Sequence, residues 1–279
     1  MNVSTWRELY DSDLQGLYAL IIIPALFLLY RMARGRPTGG VLPAGARFVD
    51  VYAIVFAVET ILDPLITGSL MRALGASESA AATAALVLFV LLGDFRVYLL
   101  LFGLIAIATG RGWRDCLRPA IGWTLVVPAV AYPLNALLQA QVAGLHAGTI
   151  WVVYEVLFTA VALILRARVV PARVPAAAPG LRAFLRAVLT YVAVYYGLWA
   201  LADLLIQGAG LDAGWLLRIV PNQLYYELWV PFVYFTFFSR RYAVTSASTH
   251  AARYDSARVA LAPRGSPTTP LGLCARKLG

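Results

Sequence analysis

Seven apolar runs, each long enough to cross a bilayer as a helix, make up most of this chain and leave few folds open to it. Inside hydrocarbon every backbone N–H and C=O must be paired within the protein, so runs of this length fold as a helix bundle. They fall at roughly 14–32, 48–71, 82–109, 117–142, 149–168, 184–207 and 214–238. Charged residues are only 13% of the 279, where a soluble domain carries about a quarter. The expected fold is therefore all-α: a polytopic transmembrane bundle of seven spans over residues 1–242. A disordered basic cytoplasmic tail is expected over 243–279, which is rich in Ser, Thr, Ala, Pro and Arg.

The connections between the runs are alternately rich and poor in basic residues. Arg31, Arg34, Arg36 and Arg47 flank the first, and Arg111, Arg114 and Arg118 the third. Arg166, Arg168, Arg173, Arg182 and Arg186 flank the fifth. The tail holds Arg240, Arg241, Arg253, Arg258, Arg264, Arg276 and Lys277. That places nineteen of the 23 basic residues on one side. Arg7, Arg72 and Arg218 fall on the other, and Arg96 lies within a span. The positive-inside rule then puts the N-terminus outside and the C-terminus in the cytoplasm, an alternation that six or eight spans would break.

The net charge of +9 is thus accounted for by loops beside lipid, and nucleic acid is not an expected partner. The acidic N-terminal flank, with Glu8, Asp11 and Asp13, argues against a signal peptide. The alanine- and arginine-rich usage suggests a bacterial inner-membrane protein. Pro171 to Gly180 reads as a flexible cytoplasmic linker.

Ionisable residues within the runs single out a candidate site. They are Glu59 and Asp63, Asp94 and Arg96, Glu155, Asp203, and Arg218 and Glu227, with Asn222 among the neutral polar groups. A charge at mid-bilayer costs about 2.5–3.5 kcal/mol on insertion scales, so such groups must face protein or water. At about 1.5 Å per residue, Glu59, Asp94, Arg96 and Glu227 lie near the midplane. Asp63 and Glu155 lie roughly 5–8 Å further out, and Asp203 and Arg218 higher still. The pattern predicts a polar vestibule open to the outside and closed near the middle of the membrane. Asp94 and Arg96 are two apart and point to different sides of their helix, so Arg96 needs a carboxylate from another span. Glu59, Asp63, Glu155 and Glu227 are the candidates. Trp151 and Trp215 read as interface anchors.

Several chemistries are excluded. A retinal Schiff base needs a lysine within a span, and the sole lysine is Lys277. The two histidines, His146 and His250, lie in a loop and the tail, so no triad or metal cluster can be assembled in the membrane. Cys116 and Cys274 both fall on cytoplasmic segments, which disfavours a disulfide. No cofactor and no metal are expected. The leading reading is a protein that binds and translocates a small polar solute or ion. Asp63, Asp94, Glu155 and Glu227 would carry cation or proton coupling, while Arg96 and Arg218 would hold an anionic group or neutralise the acids. The alternatives are an intramembrane lipid-modifying enzyme using paired carboxylates on a lipid headgroup, and a sensor signalling through its linker and tail.

Overall fold

A computed structural model describes residues 5–34 and 43–238. The expected tail, with His250, Cys274 and Lys277, lies outside these residues, as does Arg36. Among the described residues there is no strand. Helix α1 is Thr5–Asp11 and α2 is Leu14–Arg34. Helix α3, Ala44–Asp63, runs on through a wide π-type turn, Pro64–Leu70, into the single turn Met71–Ala73. Helix α4 is Ala80–Ala108, α5 Trp113–Gln141, α6 Thr149–Arg173 and α7 Pro179–Gln207. Helices α8, Ala213–Asn222, and α9, Trp229–Phe238, are joined by a second π-type turn, Gln223–Glu227.

Five helices, α2, α4, α5, α6 and α7, are long and apolar enough to cross a membrane, and they fit a multi-pass integral membrane protein. The other two expected spans differ from them for a local reason. Helix α3 carries Arg47, Asp50, Glu59 and Asp63 within 20 residues. The last apolar run is cut by its wide turn into two helices of 10 residues each.

Local sequence explains the helix ends. The Ser79 hydroxyl accepts from the Ala82 N–H at 3.1 Å and so caps the start of α4. At its end Gly110 takes a left-handed φ of 67°, and the N–H of Arg111 closes on the Ala106 carbonyl at 2.8 Å. That closure satisfies a carbonyl that the helix would otherwise leave open. The Pro171–Gly180 segment is more helical than its composition suggests. Helix α6 widens at Leu165–Val169, just before Pro171, and continues through Arg173. Only 174–178 connect it to α7, and Arg182 donates to the Val174 carbonyl at 2.9 Å across that connection.

Sequential neighbours pack side by side, and the last segment closes the ring. Helix α7 lies against α6 and α8, α4 against α3 and α5, α9 against α3, and the Gln223–Glu227 turn against α2. Helices α4 and α7 bury 50% and 44% of their most apolar stretch, against 17% for α5, so they are central and α5 is peripheral. At the end of the bundle where α2 finishes and α3 begins, Arg31 is 7% exposed, although the sequence grouped it with the loop charges. It donates from Nε and Nη2 to the two Asp50 oxygens, both at 2.7 Å. Such a two-pronged pair is geometrically demanding and fixes the register of α2 on α3. Asp50 was not among the ionisable residues singled out by sequence.

Candidate functional site

The buried polar residues separate into a packed layer and a cavity. Arg96 is the centre of the layer and is fully buried. Its Nη2 donates to the Tyr225 carbonyl at 2.7 Å, and its Nη1 donates to the Thr60 hydroxyl at 3.2 Å. Of the four candidate carboxylates, Glu59 is the one beside it, with Oε2 3.6 Å from Nη1. The guanidinium also lies 4.1 Å from the Tyr225 ring centre and 5.3 Å from that of Trp229. Trp229 in turn donates to the Tyr52 hydroxyl at 3.1 Å, and Tyr52 donates to the Arg96 carbonyl at 3.0 Å. One cation thus ties α3, α4 and the α8–α9 turn together. The π-type turn has a local role here, because it brings the Tyr225 carbonyl to the guanidinium. Such insertions are frequent at functional sites.

Asp94, on the other side of α4, is also fully buried, and it accepts hydrogen bonds from the hydroxyls of Tyr154 and Tyr196. Its partners are therefore neutral donors on α6 and α7. The same two tyrosines line a cavity of about 340 Å³ at the end of the bundle where α4 and α6 begin and α7 ends. Asp94 and Arg96 both lie behind its wall, the first behind Tyr154 and Tyr196, the second behind Tyr225.

The cavity is walled by seven aromatic rings: Tyr10, Trp151, Tyr154, Tyr196, Trp199, Tyr225 and Tyr226. Its polar lining is Asp63, Glu155, Arg218 and Asn222, with Leu20, Leu86 and Val90 among the apolar contacts. Arg218 is ion-paired with Asp203, which is fully buried behind it. Arg218 Nε and Asn222 Nδ2 both donate to the Tyr10 hydroxyl, at 3.0 and 3.2 Å. Trp199 fixes the other end of the Asn222 amide, donating to Oδ1 at 2.8 Å. Helix α1 is therefore held over the cavity by Tyr10, whose ring packs 5.3 Å from Trp215.

The two remaining carboxylates have no guanidinium of their own. Asp63 accepts from the Thr67 hydroxyl at 3.1 Å. Glu155 is 4% exposed, and its Oε2 has no hydrogen-bond partner. With Arg218 engaged by Asp203, Asp63 and Glu155 are the two acids that line the cavity outside an ion pair. A buried carboxylate oxygen without a partner is costly, so Glu155 is the acid of the cavity lining left most in need of a hydrogen-bond donor.

Four of the nine singled-out residues therefore meet in one cavity: Asp63, Glu155, Arg218 and Asn222. Asp203 serves it by holding Arg218. Asp94 supports two tyrosines of the wall, and Glu59 and Arg96 belong to the packed layer beneath. Glu227 does not line the cavity, and its oxygens lie 3.0 Å from the Gln223 amide when that amide is turned to donate. Tyr10 and Tyr154 escaped the sequence reading, and Trp151 lines the cavity as well as lying near a helix end. A usable signal was present on α6, where Trp151, Tyr154 and Glu155 recur at helical spacing. Nothing local in the sequence pointed to Tyr10, whose partners lie more than 200 residues away. Compared with known proteins, the chain matches no family model, no curated protein and no solved structure.

Proposed function

We propose that this protein crosses a bacterial inner membrane seven times, N-terminus outside, and binds a small solute bearing a positively charged nitrogen in the cavity. In this reading α3 and α8–α9 are crossings whose charges and wide turns are tolerated because they face protein. The carrying observation is the combination of Glu155, buried with a free oxygen, and Asp63 in a pocket walled by seven aromatic rings. Carboxylates neutralise an ammonium group, and ring faces attract it by roughly 0.5–2 kcal/mol each. A bare metal ion fits less well. Among the described residues no three His, Cys, Asp or Glu side chains converge as its ligands would. A volume of 340 Å³ is at the lower end of small-molecule sites.

Translocation follows the same geometry. The cavity would receive the solute from outside, and the layer of Arg96, Trp229 and Tyr52 would block its further passage until the helices rearrange. Titrating purified protein in nanodiscs with tetramethylammonium, followed by calorimetry, tests the binding. Saturable binding is expected, weakened about tenfold or more by Glu155→Gln and by Asp63→Asn, since each lost contact worth about 1.4 kcal/mol is a factor of ten. Absence of saturable heat, or a preference for acetate over the ammonium ion, would refute it. Uptake of the labelled cation into proteoliposomes tests translocation separately.

A further inference from the structure

The charged cavity has an apolar neighbour. A groove of about 390 Å³ runs between α4, α5 and α6 on the outer surface of the bundle. Leu86, Val90, Trp151 and Tyr154 line both spaces, so the two adjoin along these side chains. Past these residues the groove is lined by Val87, Leu91, Leu125, Pro128 and Ile150, with Thr83 and Tyr132 as further polar side chains. Leu86, Val87, Leu125 and Tyr132 are 44%, 42%, 50% and 59% exposed, so the groove opens toward the bilayer rather than into the bundle. Helix α5 supplies its outer side and is the least buried of the long helices, with Pro128 and Pro133 in its middle.

We infer that the ligand is a bilayer amphiphile: its ammonium headgroup occupies the cavity against Glu155 and Asp63, and its acyl chain lies in the α4–α5–α6 groove. This rests on the cation reading above and narrows it from a free solute to an amine-headed lipid. The chemistry of the two spaces selects that occupant. The cavity carries two acids outside any ion pair and seven rings, and suits a cationic nitrogen. The groove carries few polar groups and would face acyl chains in a bilayer. A freely soluble cation uses only the first space, and a lipid without an amine uses only the second.

Groove and cavity can be perturbed separately because Val87 and Leu125 line the groove and not the cavity. The probe is dioleoyl phosphatidylethanolamine, with dioleoyl phosphatidylglycerol as the headgroup control, and lipid retention is read by native mass spectrometry. The full chain should retain the ethanolamine lipid at least tenfold over the glycerol lipid. Tetramethylammonium should displace it. Val87→Trp and Leu125→Trp, which fill the groove, should reduce retention at least fivefold while leaving tetramethylammonium binding unchanged. Glu155→Gln should weaken both. Equal retention of the two lipids, or retention indifferent to both groove substitutions, overturns the lipid assignment even if tetramethylammonium binds, and the solute reading then stands alone. Failure of both probes to bind removes the two readings together.

Discussion

The ion pair under the cavity yields a quantitative test by double-mutant cycle. Arg96 and Glu59 approach to 3.6 Å with side chains 1% and 11% exposed. At that separation and an effective dielectric of about 20, the Coulomb attraction is about 4–5 kcal/mol, part of which offsets the desolvation of the two ions. Arg96→Met keeps the aliphatic stem but strands Glu59 as an unpaired buried carboxylate, at a cost of about 3–5 kcal/mol. Glu59→Gln leaves the guanidinium its Tyr225 carbonyl, its Thr60 hydroxyl and two rings, and should cost about 1–2 kcal/mol. Together the substitutions remove both charges, so the double variant should cost about 2 kcal/mol less than the sum of the singles. That margin exceeds the roughly 0.6 kcal/mol that interhelical hydrogen bonds in membranes average, so it separates a true ion pair from a polar contact. Reversible unfolding in mixed micelles, followed by tryptophan fluorescence, measures all four corners. Additivity within about 0.5 kcal/mol would refute the claim that this pair joins α3 to α4.

Two further outcomes are expected. A Cβ at Gly93 would collide with the Tyr225 hydroxyl, while Arg96 and Trp199 hold the Tyr225 ring, so Gly93→Ala should lower stability by about 1–3 kcal/mol; an unchanged melting temperature would show that the ring is free to move. The proposed topology is checked by cysteine accessibility in a background with Cys116 and Cys274 replaced by serine. Ala76→Cys should react with an impermeant maleimide on intact cells and Gly112→Cys only after permeabilisation, and the reverse pattern would invert the orientation.

Much of the architecture was legible in the chain because lipid imposes a simple rule. A long apolar stretch must be helical there, and an ionised side chain within it must face inward, so helices and buried charges can be read one residue at a time. The five long helices are visible in this way, and so are the buried positions of Asp94, Arg96, Glu155 and Asp203. What the sequence left open was which groups meet. Depth and helical face offered Arg96 four carboxylates, and only the packing of α3 on α4 selected Glu59. The same limit hid Tyr10 and left open whether Asp94 and Glu227, read as coupling acids, line the cavity, which they do not. Partnership depends on the rotation and crossing of separate helices, which arise from side-chain packing across the whole bundle and leave no periodic trace in any one segment.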